Sequence, residues 1–226
     1  MAIAVLETRL AQFKATLDAD VKSLMRLYAA ESAGVGRPGE WMDAITRSAV
    51  VLLAATFENF VEELVCDSLT HLASIPVMAR KYPQRFRHWL FHEEVNMRNI
   101  GIDSSKDYID LSLRLYSDVR PLTLSELKLD RLKEEFANPT AKNVNWLVSL
   151  YDVDNYLDGV AITVDKVETS AKSAIGELST RRNDIAHGDV SQKPTDEDVN
   201  RLTKFCQLFS NRFAKDITAV TQQSLK

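Results

Sequence analysis

The sequence predicts an all-α fold on three observations. Glycine and proline are scarce, at 7 and 6 of 226 residues, which leaves few residues for the many tight turns of a β-sandwich or barrel. Long stretches repeat apolar residues at alternating spacings of three and four, the period of an amphipathic helix. No strand pattern of useful length interrupts them. The length suits a single domain with ample chain to bury a core.

Two long helices are predicted in the N-terminal part. Apolar residues between Ile3 and Tyr28 form one stripe, which indicates an amphipathic helix that packs on its neighbours. A loop at 34–39, rich in glycine, precedes a second helix that begins near Trp41. Because apolar residues cover most of the circumference of this second helix, we expect it to be the central and most buried one.

The middle of the chain predicts shorter and less regular helices. Pro83, Ser105 and Ser125 each stand before a helical segment, and the turn at Asn138-Pro139 ends the last of these. A further short helix is predicted over 141–151. This part of the chain is therefore expected to be less regular than the two ends.

The C-terminal part predicts two more long helices. The first extends from about Ile162 to His187, and Gly188 is expected to end it in the left-handed conformation. The second begins after Thr195, a capping residue that a carboxylate, Asp198, follows three positions later. No internal repeat is apparent.

Composition excludes several classes of protein. With 28 basic against 32 acidic residues, the net charge of -4 argues against a protein that coats nucleic acid through bulk charge. Cys66 and Cys206 lie in apolar helical patterns without CxxC spacing, which predicts buried thiols rather than a zinc site. The N-terminus lacks a signal-peptide pattern, and no apolar run approaches the roughly 20 residues of a membrane span. We expect a cytoplasmic protein that does not associate with membranes.

The histidines do not predict a metal centre. His88 and His92 are one helical turn apart and Glu93 adjoins them, but the HExxH order is absent and no third ligand can be named. We therefore expect no metal and no cofactor.

The segment from Ser179 to Asp189 contains the residue types that cleave RNA through its 2′-hydroxyl. That reaction needs a base, an acid and a cation for the charge on phosphorus. His187 can act as acid or base near neutral pH, and Arg182 can bind phosphate bidentately. Five residues place them about 140° apart around an ideal helix, so they share a face only if the helix end unwinds. A two-fold dimer would instead bring two such helix ends together.

The alternative interpretation of this segment is ordinary helix termination. Cations at the end of a helix complement its dipole, and a histidine there can bond the last carbonyls. This interpretation accounts for the charge and the position. It requires neither Asn183 nor a histidine.

The segment RRNDIAHGD resembles the signature of the HEPN superfamily, in which an Arg and a polar residue precede a His by a few positions. ATFENFVEEL is similar to the early helix of the RiboL-PSP-type branch, and NPTAKNVNWLVSLYDV to its Asn-Pro segment. The resemblance runs roughly from Val50 to Ile217. It implies a HEPN-like helical bundle, often a homodimer, that acts as a metal-independent endoribonuclease on RNA in toxin–antitoxin or phage-defence systems.

The resemblance also implies roles for individual residues. Arg182 and His187 match the catalytic pair, and Asn183 the polar residue beside the arginine. Glu58 matches the glutamate of the early helix, and its alternative role is a charge on the exposed edge of a buried helix. Arg181 is extra to the motif and could contact phosphate, and Asp184 is a further candidate assistant. A cognate antitoxin, or a nucleotidyltransferase that modifies the protein, is the implied protein partner. The alternative function is a non-catalytic HEPN-like module for interaction or ligand binding, which the intact motif disfavours.

The section at about 76–122 has no confident match in the resemblance. We interpret it as a lineage-specific insertion within one domain of residues 1–226. Its basic and aromatic residues suit single-stranded RNA, and Arg85, Arg87 and Trp89 are the candidate contacts. The alternative is an amphipathic helix whose aromatic residues belong to the core and whose arginines are solvated.

Overall fold

The computed structural model describes residues 2–32, 40–97, 105–118 and 139–225, with Leu132 and Phe136 between the last two ranges. Its helices are α1 (Ala2–Thr16), α2 (Lys22–Ser32), α3 (Glu40–Ser74), α4 (Gln84–Met97), α5 (Ser105–Tyr116), α6 (Ala141–Ser149), α7 (Ala171–Ala186) and α8 (Asp196–Ser224). Two short strands, β1 (Ala161–Val164) and β2 (Val167–Ser170), form an antiparallel hairpin before α7. The all-α prediction is confirmed, since this hairpin is the one sheet in the described ranges.

The predicted first helix is confirmed, with one irregularity. A π-helical segment, Leu17–Val21, joins α1 to α2 without a break in the helix. Leu17 and Val21 are both fully buried, and Leu6 and Phe13 are buried along the same stripe. Beyond this π turn the stripe continues in α2 only through partly buried residues, Leu24 and Met25, which pack against the core. The predicted loop at 34–39 lies outside the described residues.

The predicted central helix is also confirmed as α3, which packs against α1, α2, α7 and α8. Its fully buried side chains are Ala49, Val50, Leu53, Ala54, Phe57, Val61, Leu64, Val65, Leu69 and Leu72. One face is nevertheless exposed, and we call it the α3 stripe: Trp41, Ala44, Ser48, Leu52, Ala55 and Asn59. These positions follow one another at spacings of three and four, so they lie along a single side of the helix.

The hairpin corrects two predictions. The helix expected from about Ile162 begins only at Ala171, and the expectation of no strand is wrong. Ile162 and Val164 alternate with exposed residues, as in a half-buried strand. Asp165 and Lys166 both have positive φ, at 49° and 69°, which matches the hairpin turn that suits twisted strands. β-branched residues, which favour strands, make up three of the four residues of β1 and two of the four of β2.

The middle helices begin close to their predicted positions. Thr140 caps α6 by accepting a hydrogen bond from the Asn143 backbone N–H at 3.2 Å. The Asp152 carboxylate accepts the first backbone N–H groups of α4, from Gln84 at 2.6 Å and Arg85 at 2.9 Å. The helix predicted after Ser125 lies outside the described residues, and the assignment of 76–122 as an insertion stays a prediction.

The end of α7 and the start of α8 are as predicted. Gly188 has a φ of 84° and follows α7 in the left-handed conformation. Thr195 caps α8, and Asp198 completes a reciprocal capping box. The buried face of α8 includes Val199, Leu202, Phe205, Cys206, Phe209 and Phe213.

Both cysteines are buried and unpaired with each other, as expected. Burial raises the pKa of the Cys206 thiol far above its ordinary value. Across the described ranges, none of the helices combines the length and the apolar character needed to cross a membrane.

Candidate active site

The motif residues lie where the C-terminal half of α7 packs against the N-terminal half of α3. Two interactions between α3 and α7 define the relative direction of the two helices. Lys193, after α7, forms an ion pair with Asp43 near the start of α3 at 2.8 Å, and Arg182 interacts electrostatically with Glu58 further along α3. Because the order of the contacts is reversed between the two helices, α3 and α7 are antiparallel. The α3–α7 surface thus extends from Glu58 and Arg182 to the turn that follows α7.

Arg182 and Glu58 form the buried end of this surface. Arg182 is half-buried, and its Nη1 donates a hydrogen bond to Oδ1 of Asn183 at 3.0 Å. Burial raises the pKa of the Glu58 carboxyl above its ordinary value, and the Arg182 guanidinium opposes that rise. A carboxyl whose pKa is raised is better suited to carry a proton near neutral pH than an exposed one.

His187 forms the exposed end of the surface. It is the C-cap residue of α7, and its backbone N–H donates to the Asn183 carbonyl at 2.9 Å. Gly188 then donates to the Ile185 carbonyl at 3.0 Å and Asp189 to the Asp184 carbonyl at 2.9 Å, which is the Schellman arrangement. The imidazole stands in solvent on an ordered backbone, where a substrate can reach it.

Two of the predicted assistants have other partners. Arg181 binds Glu177 through Nε at 3.0 Å and lies 3.4 Å from Asp198, in an ion-pair network that joins α7 to α8. Asp184 accepts a hydrogen bond from the Gln192 side chain at 3.2 Å, within the turn after α7. Of the three assistants, Glu58 is therefore the one that faces Arg182.

Arg47 was not among the residues predicted from the sequence, yet it lies on the same surface. Its side chain is half-buried on α3, and its buried Nε has no hydrogen-bond partner in the structure. Hydrogen bonds from Ser191 lower the pKa of Asp189, and the charge of Arg47 lowers it further, which places Arg47 beside the turn after α7. Its place in the sequence, before the apolar run of α3, suits a solvated arginine equally well, so the sequence carries no signal for it.

The predicted RNA contacts on α4 are held by neighbouring residues. Arg85 forms an ion pair with Asp154 at 2.5 Å. Arg87 donates to the Leu115 carbonyl at 3.4 Å, and its guanidinium lies 5.3 Å from the centre of the Tyr116 ring. Trp89 is partly buried against the core, with its ring stacked on the buried Phe86 at a centroid distance of 6.5 Å. The aromatic side of α4 thus contributes to packing, and its arginines are at least partly engaged.

The described part of the chain contains no group of three or more His, Cys, Asp or Glu side chains arranged to hold a metal ion. His88 and His92, the pair with zinc-like spacing, are both exposed.

Comparison with known protein families identifies the family of the chain. The model of the family described as RiboL-PSP-HEPN matches residues 20–219, a range that contains α3, α7 and every predicted site residue. A search of curated proteins found no match, and a search of solved structures found none either.

Proposed function

The chain belongs to the RiboL-PSP-HEPN family, and from this premise we propose that it is a metal-independent endoribonuclease. Membership of the family supports an RNA-related or nuclease role, since HEPN domains commonly bind RNA and dimerise. The observation that carries the proposal is the α3–α7 surface, where Arg182 lies beside Glu58 and an exposed His187 follows at the helix end.

The proposed reaction uses the 2′-hydroxyl of RNA as its nucleophile. The 2′-oxygen attacks phosphorus, the bond from phosphorus to the 5′-oxygen breaks, and the products are a 2′,3′-cyclic phosphate and a 5′-hydroxyl. One imidazole takes the proton of the 2′-hydroxyl, and a protonated group returns one to the 5′-oxygen. Arg182 neutralises the charge that develops on the phosphoryl oxygens, and its bond to Asn183 holds the guanidinium in place.

Two copies of the chain supply the full set of groups in this proposal. Arg182 and His187 diverge around α7, so one helix end does not present both to the same phosphate. The α3 stripe offers a surface for the second copy. Trp41 and Leu52 on this stripe are 48% and 37% exposed, although each is a large apolar side chain. Ala44 and Ala55 of the stripe are one helical turn from Arg47 and Glu58, so a two-fold contact here adjoins the site.

The decisive experiment is to incubate the purified protein with RNA in EDTA. Wild type should cleave and leave 2′,3′-cyclic phosphate ends, because no step requires a metal ion. His187→Ala and Arg182→Ala should each reduce the rate by about 10²-fold or more, with helicity unchanged. His71→Gln, which alters a histidine near the other end of α3, is the matched control and should cleave normally. A requirement for added magnesium would contradict the mechanism.

We propose a toxin–antitoxin or phage-defence setting for this activity, with a cognate antitoxin or a modifying nucleotidyltransferase as partner. In that setting, expression of the wild-type chain alone should arrest growth, and His187→Ala should relieve the arrest. Co-expression of the product of an adjacent gene tests the partner. RNA binding without cleavage, by a wild-type chain that does not arrest growth, would favour the interaction module instead.

A further inference from the structure

We infer that Arg47 binds a second phosphate of the RNA strand, separate from the phosphate that is cleaved. The inference rests on the proposed function, because it assigns Arg47 to the same substrate. Arg47 is one helical turn along α3 from Asp43, whose ion pair with Lys193 at 2.8 Å holds the turn after α7 against this part of α3, and the family motif does not include Arg47.

The surroundings of Arg47 leave its guanidinium free for a ligand. The Asp189 carboxylate nearby is already bonded by Ser191, through the backbone N–H at 2.8 Å and the hydroxyl at 2.7 Å. Arg47 forms no ion pair within 4.0 Å in the described structure, whereas Arg181 and Arg201 both bind Glu177. Arg47 is thus a half-buried cation whose charge is opposed only at longer range.

The position of its side chain favours a role in binding. The stem of Arg47 is buried as far as Nε, and this buried donor has no hydrogen-bond partner, which costs free energy. The terminal nitrogens are the atoms left to meet a phosphate, and guanidinium groups bind phosphate oxygens in a bidentate manner.

Arg47 and Arg182 lie at different points along the α3–α7 surface. Arg182 lies beside Glu58, which is eleven residues from Arg47 on α3, a separation of about 16 Å at the rise of an α-helix. One phosphate does not span that distance, but two phosphates of the same strand do. The substrate is therefore a strand that extends past the cleaved phosphate at Arg182 by enough nucleotides to place another phosphate at Arg47.

The experiment measures binding rather than cleavage. A fluorescent 2′-O-methyl oligoribonucleotide, which cannot be cleaved through the 2′-hydroxyl, is titrated with protein over a series of salt concentrations. Each phosphate contact to a single strand contributes about 0.7 to the slope of log K against log salt. Arg47→Ala and Arg182→Ala should each lower the slope by about 0.7, and the double variant by about 1.4. Lys215→Ala, an exposed charge on α8, should leave it unchanged.

Arg47→Gln accompanies Arg47→Ala, because glutamine retains much of the stem and guards against loss of the fold, which circular dichroism monitors. A folded Arg47 variant with the wild-type slope would overturn the inference, and so would a double variant no weaker than Arg182→Ala. If Arg47 contributes to binding while the wild-type chain fails to cleave RNA, the inference stands and the endoribonuclease proposal fails. A wild-type chain that does not bind RNA overturns both.

Discussion

Across the contact between α3 and α7, the Arg182 guanidinium lies close enough to the Glu58 carboxyl to oppose the effect of burial on its pKa. Burial is the larger influence, so the pKa of Glu58 remains raised. The Glu58 carboxyl, which can carry a proton, therefore lies near Arg182, the cation that the proposed mechanism places on the phosphate. Glu58 is therefore suited to transfer a proton alongside His187.

The raised pKa of Glu58 predicts a pH-dependent effect on stability. A carboxyl whose pKa is higher in the folded state stabilises the fold below the unfolded pKa, and this contribution is lost as the pH rises through the folded pKa. Glu58→Gln mimics the protonated form, so it should raise Tm relative to wild type at pH 7 and have little effect below pH 4. Thermal unfolding at both pH values measures this. A variant less stable than wild type at pH 7 would show that the charged carboxyl stabilises the fold through Arg182.

The α3 stripe predicts how activity depends on assembly. Leu52→Glu places a charge in the proposed two-fold contact, so it should convert the dimer to a monomer and reduce RNA cleavage with it. Leu208→Glu is the control, since Leu208 on α8 is 44% exposed but lies outside the stripe. Light scattering coupled to gel filtration gives the mass, and the cleavage assay gives the activity. A wild-type chain that is strictly monomeric and still cuts RNA would refute the shared site.

On α4, Trp89 and Arg85 are predicted to behave differently. Trp89→Ala should destabilise the protein by somewhat less than the 3 to 5 kcal/mol typical of a fully buried tryptophan, roughly 2 kcal/mol, because the ring packs against Phe86. Arg85→Glu should leave stability nearly unchanged, because its ion pair with Asp154 is exposed. It should lower the salt slope of RNA binding by about 0.7 if α4 lies on the RNA path.

Denaturant unfolding separates these two roles, and Lys215→Glu controls for the change of charge. Normal stability of Trp89→Ala, together with weakened RNA binding, would instead make Trp89 a stacking platform for bases. An unchanged salt slope for Arg85→Glu would place the RNA path elsewhere on the molecule.

The hairpin turn predicts a stabilising substitution. Lys166 has a φ of 69°, a conformation that costs a residue with a side chain about 1 to 2 kcal/mol and glycine very little. Part of that gain is offset by the greater freedom of glycine in the unfolded chain. Lys166→Gly should therefore raise the free energy of unfolding by up to about 1 kcal/mol. Lys215→Gly, inside α8, should lower the free energy of unfolding by about 1 kcal/mol. Equal losses for the two variants would contradict the strained backbone conformation of Lys166.

The helices could be predicted because their signals are local. The spacing of apolar residues predicted α1 and α3. The capping residues Gly188 and Thr195 predicted where α7 ends and where α8 begins. The hairpin was missed because Asp165-Lys166 lacks the glycine that usually marks such a turn. Its four-residue strands were also too short to outweigh the apolar period of the helix that follows.

The site could be predicted only in part, for a related reason. Arg182 and His187 stand in one short motif, but the charge interaction of Arg182 with Glu58 depends on how two helices pack. Arg47 carries no local pattern that separates it from a solvated arginine. Its assignment needed the position of Asp189, which follows from the antiparallel packing of α3 and α7.

The end of α7 holds the side chain of His187, the proposed acid–base group, which is exposed although its backbone is firmly held. Backbone bonds from Gly188 and Asp189 close the helix end, and the ion pair of Lys193 with Asp43 ties the far side of the turn to α3. Little conformational entropy therefore remains in the backbone under His187, and mainly its two side-chain torsions stay free. In the proposed reaction, RNA meets an imidazole whose backbone is already ordered, so ordering the protein consumes less of the interaction energy.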